Sequence, residues 1–211
     1  MAKARVSPSG DHRGVTGLRA TLSAIAVALA LTGCTTDVDL GNGITQRGDH
    51  LFHYEGPEVE ATLGTHQTSE SLGENWLVLG VWLRAASQSG TLTIDRKAVS
   101  IVTPDGHRLP LVSQEEFRSA FSQIHTLVRR AEFSTPGTGS PTAPLQICDR
   151  WFFAEIGEGF ATDELYLTSF MQCTGPLVFN VPQGVQPGRW RLVIELEESR
   201  VDIPFEVAVS Y

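Results

Sequence analysis

Residues 76–84 read WLVLGVWLR, a run in which Arg84 is the only polar residue. Its length and bulky side chains suit a central strand buried on the sheet. Two alternating sets are available for the inner face. One is Trp76, Val78, Gly80 and Trp82; the other is Leu77, Leu79, Val81 and Leu83. Both are apolar, so periodicity leaves the choice open. A chain with such a strand must cover it with further layers, and a composition of 41% hydrophobic and 19% charged residues suits a globular core.

The rest of the chain is rich in strand patterns. LFHYE (51–55) and VEATL (59–63) are separated by Gly56-Pro57. Residues 92–94, 98–103 and 108–112 follow, with Pro104-Asp105-Gly106 as a turn, since Pro sets φ and Gly permits its positive value. Residues 98–112 therefore read as a hairpin, and Pro110 argues for an edge position because it donates no ladder hydrogen bond. WFFAEI (151–156), LYLTSF (165–170) and PLVFNV (176–181) return to strand patterning. The turn at 183–188 leads into 189–196, where Trp190, Leu192, Ile194 and Leu196 alternate. Residues 201–209 close with Val201, Ile203, Phe205, Val207 and Val209 on one face.

Residues 113–132 change period. Phe117, Ala120, Phe121, Ile124, Leu127, Val128 and Ala131 recur at steps of three and four, while Arg118, Ser122, His125, Arg129 and Glu132 take the opposite face. Ser113 and Glu116 form an S-x-x-E capping box, so the spacing predicts an amphipathic helix over about 114–132. Residues 134–144, STPGTGSPTAP, predict a loop. Roughly nine short strands and one inserted helix predict a mainly β, antiparallel β-sandwich. Pro187-Gly188-Arg189-Trp190, opening the last strand pair, resembles the closing hairpin of immunoglobulin-like domains over residues 187–209.

The N-terminus carries a different signal. Lys3, Arg5, Arg13 and Arg19 precede ATLSAIAVALAL (20–31), an uncharged stretch too short to span a bilayer and of the length of an export-signal core. Leu31-Thr32-Gly33-Cys34 follows. Residues 15–35 resemble the lipobox signal of bacterial lipoproteins. The resemblance implies that residues 1–33 are removed and that the Cys34 thiol takes a diacylglyceryl group. The new amine is often acylated as well, with palmitate as the expected chain. Thr35 in place of Asp implies, in a Gram-negative host, the periplasmic face of the outer membrane. Residues 34–49, polar and Gly-containing, are expected to be a tether, with the folded domain at 50–211.

Assigning Cys34 to the lipid leaves Cys148 and Cys173, which an oxidising envelope would pair. Four of the 16 Lys and Arg and one of the 24 Asp and Glu precede Gly33, so the remainder holds 12 basic and 23 acidic residues. So acidic a body is repelled by phosphate backbones, which argues against a nucleic-acid partner.

Candidate chemistry is sparse. His50 and His53, three apart on a strand, point to opposite faces; His53 and Glu55 share a face but supply too few ligands for a catalytic zinc. Asp105, His107 and Ser113 contain the residue types of a hydrolytic triad, but no G-x-S-x-G surrounds a serine and Ser113 already has a capping role. The Gly-x-Gly occurrences at 41–43, 137–139 and 157–159 lack dinucleotide-site context and read as loops. No catalytic residue, metal ligand set or cofactor is assigned. Trp151, Phe152 and Phe153 are the candidate binding surface, because one of three adjacent aromatics on a strand must face away from the others. The expectation is a non-enzymatic, lipid-anchored envelope module whose partners are the membrane and an envelope protein. A small-ligand or glycan-binding module is the alternative, and an envelope hydrolase or metal enzyme the third reading.

Overall fold

A computed structural model of the protein describes residues 37–133, 146–155, 157 and 159–209. The signal segment, Cys34 and the 134–144 loop lie outside them. The described chain opens with β1 (Val38–Gly41), β2 (Ile44–Arg47), β3 (Leu51–Glu55) and β4 (Val59–Gly64). It continues through β5 (Trp76–Ala85), β6 (Thr91–Asp95), β7 (Val99–Val102) and β8 (Arg108–Pro110) to α1 (Gln114–Phe133). Short pieces follow at β9 (Gln146–Ile147), β10 (Arg150–Trp151) and β11 (Phe160–Ala161). The longer strands β12 (Glu164–Thr168), β13 (Met171–Asn180), β14 (Gly188–Glu195) and β15 (Arg200–Val207) complete the fold.

The protein is mainly β and antiparallel, with one α-helix among the described residues and a sandwich-like arrangement of sheets. The large sheet runs β1-β2-β3-β4-β5-β13-β12-β6, and a second sheet runs β15-β14-β7-β8. Two short pairings, β9 with β13 and β10 with β11, are parallel. No helix among the described residues is long and apolar enough to cross a membrane.

The choice of inner face for β5 is resolved by covering both. Leu77, Leu79, Val81 and Leu83 are fully buried, and so are Val78 and Trp82 of the alternate set. β13 lies along β5 from Cys173↔Leu83 to Asn180↔Trp76, and α1 packs against both strands. The closing hairpin forms as expected, with Val201, Ile203, Phe205 and Val207 buried; Val209, two residues past the strand, is exposed. Pro110 lies on β8, which pairs only with β7 at the edge of its sheet. Gly106 N–H closes the preceding turn on Thr103 O at 3.0 Å.

The helix buries Phe117, Ala120, Ile124, Val128 and Ala131, as its period requires. Its start is the anticipated capping box. Glu116 N–H donates to Ser113 Oγ at 3.1 Å, and Glu116 Oε2 accepts from Ser113 N–H and Oγ–H at 2.8 Å each. The Ser113 N–H, and then its hydroxyl, hold the Glu116 carboxyl below its ordinary range. Ser113→Ala is expected to cost about 1 kcal/mol in urea unfolding. The Glu116 share of the cap is complete above the ordinary carboxylate range and disappears as pH falls through the lowered value. The variant's deficit should therefore narrow in acid; an equal deficit at both pH values would refute the carboxylate's part.

Two expectations are corrected. Residues 34–49 are not a tether throughout, because β1 and β2 form a hairpin that extends the large sheet through β3. Its turn is Asn42-Gly43 between the paired Gly41 and Ile44, with φ of 52° and 77°. Positive φ at both central residues matches the twist of a two-residue hairpin, and Asn-Gly is the pair that tolerates it. Ile44 is buried under the sheet.

The strand expected over 151–156 is likewise not formed at the described residues 152–155. Only Arg150 and Trp151 pair, with Phe160 and Ala161. Beyond Trp151 the backbone is held by side chains. Arg96 Nη2 donates to Phe152 O, while Gln114 accepts from Ala154 N–H at 3.1 Å and donates to Ala154 O at 2.7 Å. With these groups satisfied locally, the segment needs no ladder.

Candidate functional site

Trp151, Phe152 and Phe153 are 8%, 0% and 7% exposed, so none of the three faces away into water as expected, and Trp151 and Phe153 instead line recesses beside them. Off a regular strand, the three rings need not alternate, and each finds its own seat. Trp151 lies over Gly175, where an added Cβ would come within 2.5 Å of the indole, and its Nε1–H donates to Pro176 O at 2.7 Å. Phe153 stacks on Phe117 of α1 at a ring separation of 4.7 Å.

Arg96 organises this region from the turn before β7. It is 8% exposed. Its Nε donates to Asp163 Oδ1 at 2.7 Å, Nη1 to Val112 O at 3.0 Å, and Nη2 to Thr162 O at 3.0 Å and to Phe152 O. The guanidinium carbon lies 5.5 Å and 5.1 Å from the Phe152 and Phe153 ring centres. One buried cation thus ties the 150–163 segment to the end of the β7–β8 hairpin. The other tie is the Cys148–Cys173 disulfide, whose Cα atoms are 4.8 Å apart. The pairing expected from the cysteine arithmetic is present, with Cys173 fully buried on β13.

The histidines separate, but not by strand alternation, because His50 lies in the turn before β3 and only His53 is on the strand. His53 is buried, with Nδ1 3.1 Å from Thr62 Oγ1 and Nε2 3.1 Å from Glu55 Oε1. His50 instead meets His66, at a ring separation of 4.5 Å. Partial burial, and then the charge of His50, lower the pKa of His66. Nothing local in the sequence announced that pair, which the β3–β4 hairpin creates.

Asp105 and His107 meet at 3.3 Å, but in the turn itself. Thr103 Oγ donates to Asp105 Oδ1, which lowers the Asp105 carboxyl, and Thr103 Oγ also accepts from His107 N–H at 2.9 Å. Ser113 spends its hydroxyl on Glu116, so the three triad residue types are not assembled as a triad.

The same turn walls a recess of about 330 Å³ between the 103–108 and 181–186 connections. Trp190, Leu109 and Val181 form its apolar floor, Pro104 stands at the side, and Asp105 and His107 are at the rim. The Trp190 Nε1–H is committed to Gln186 O at 2.9 Å, leaving the ring as apolar lining. An apolar floor with a few polar rim groups is the form small-ligand sites take. A second recess of about 260 Å³ lies between α1 and β13, beside the edges of Trp151 and Phe153, and is flanked by Glu132 and Glu155.

Fold and site together define a disulfide-tied antiparallel β-sandwich with one packed helix and an apolar recess at the end of its second sheet. No protein-family model matches the chain, and neither characterised proteins nor solved structures contain a match to it.

Proposed function

We propose that the protein is a lipid-anchored module of a bacterial cell envelope that acts by binding rather than by catalysis. The observation that carries this reading is the order Leu31-Thr32-Gly33-Cys34 directly after a basic and then apolar segment, three residues ahead of the first β-strand. Two features support it. The Cys148–Cys173 disulfide suits an oxidising compartment. The acidic balance of the chain after Gly33 provides no electrostatic hold on anionic headgroups, so retention at a membrane falls to the lipid. One acyl chain binds reversibly, whereas two or three on one cysteine hold firmly. Confinement to a surface raises the effective concentration of the domain toward partners there, with the recess over Trp190 as the place for an apolar group of a ligand.

Mass spectrometry of the N-terminal peptide, from protein expressed in a lipoprotein-processing bacterium, tests the anchor. A peptide beginning at Cys34 and carrying diacylglycerol and acyl mass is the expected result. An unmodified Cys34 in a cleaved, soluble product would overturn the reading.

A further inference from the structure

We infer that the β1–β2 hairpin is the part of the domain that rests on the bilayer, with Val38 and Leu40 entering the headgroup region. The inference depends on the proposed lipid at Cys34.

Only Thr35, Thr36 and Asp37 separate Cys34 from β1. At most about 3.6 Å per residue, the Cα of Val38 can lie no further than about 14 Å from that of Cys34. The interfacial zone on each side of the hydrocarbon is itself roughly 5–8 Å deep. A fifteen-residue tether would let the domain range freely; this link does not. Whatever orientation the rest of the domain takes, β1 is held within reach of the headgroups.

The chemistry of β1 suits that position. All four of its residues are exposed, and it pairs only with β2, so one edge is open. Val38 and Leu40 are 48% and 42% exposed, and Leu40 sits at the register shift between Asp39 and Gly41, where it has no partner on β2. They are among the few large apolar side chains the described chain leaves in water, and they stand at its membrane-tethered end. Asp37 and Asp39 flank them, with Arg47 3.7 Å from Asp37, so the hairpin brings no cationic cluster. The contact is apolar, so on neutral lipid its strength should be nearly independent of salt, whereas anionic lipid should weaken it through Asp37, Asp39 and the acidic body. The free edge faces an occupant that offers no strand to pair with it.

The test is site-directed spin labelling of the processed protein in phosphatidylcholine vesicles. With Cys34 acylated and Cys148 paired to Cys173, Leu40→Cys supplies a single labelling site, and Tyr166→Cys, at a residue 57% exposed, supplies a reference. Collisions with an aqueous nickel complex should be about tenfold rarer at position 40 than at 166, the order set by moving an aliphatic-sized group out of water, and should stay so in high salt. Equal nickel access at both positions, with lipid confirmed by the mass of the N-terminal peptide, overturns the inference and leaves the anchor standing. Dipolar broadening between labels at position 40 also overturns it, by showing that β1 meets a second copy. An unmodified Cys34 overturns the anchor and this inference together.

Discussion

Arg96→Met is expected to lower the unfolding free energy by about 3–5 kcal/mol, the order reached when several buried or half-buried carbonyls lose a charged donor at once. Methionine fills much of the space of the arginine stem but donates nothing. Val112 O, Phe152 O and Thr162 O then lose their donor together, and an unpaired buried carbonyl costs about 1–3 kcal/mol. The contacts with the Phe152 and Phe153 rings lose their cation as well. Asp163 contributes little, because its side chain is 83% exposed and water replaces the arginine there. Recovering the desolvation cost of the guanidinium offsets part of the loss, which keeps the estimate in single figures. Urea unfolding followed by far-ultraviolet dichroism measures the effect, and amide exchange should accelerate first across 150–163. A midpoint within error of the wild type would show that the segment is held by something else.

Removing the disulfide is the second large effect. Cys148 and Cys173 are 25 residues apart, and opening a loop of that length costs about 3 kcal/mol in the chain-entropy model. The paired variant Cys148→Ala, Cys173→Ala should show that deficit in the same urea assay. Wild-type protein treated with reductant should fall toward the variant. Loss of the bond frees β9 to leave β13, because its remaining ties there are the short 146–147 pairing and the Cys148 N–H to Gln172 O bond at 2.9 Å. Arg96 and the disulfide both hold the stretch that follows the helix, so their losses should not add: once one tie is gone, the other holds a segment already loosened. An unchanged midpoint on reduction would remove the stabilising role of the bond.

The disulfide was expected from the sequence and the Arg96 network was not, and the reason is physical. The helix was legible because each turn repeats one demand, an apolar side chain every three or four residues, and because Ser113 and Glu116 stand three residues apart in the S-x-x-E spacing of a capping box. The β7–β8 hairpin was legible because Pro104-Asp105-Gly106 joins near neighbours, and β14–β15 because both strands alternate in hydropathy, although the four residues joining them, 196–199, include neither Pro nor Gly. Asn42-Gly43 is an equally local turn signal, but the polar residues around it lack the apolar alternation that marks a strand. The WFF segment had no such signal. Its aromatic residues have the composition of a strand, and what keeps it from being one is a cation from residue 96 and an amide from residue 114.

Of the candidate site, sequence alone pointed to the pairing of Cys148 with Cys173, which follows from counting once Cys34 is set aside for the expected lipid. It also supplied the export and lipid signal on which the proposed anchoring rests. Tertiary structure decided that Trp151, Phe152 and Phe153 are interior, that His50 meets His66, and that an apolar recess opens over Trp190. It also decided that the first strand among the described residues starts at Val38, with three residues between it and Cys34. Those facts depend on which distant backbone and side-chain groups meet, and on whether water or protein satisfies each polar atom, which no local pattern encodes.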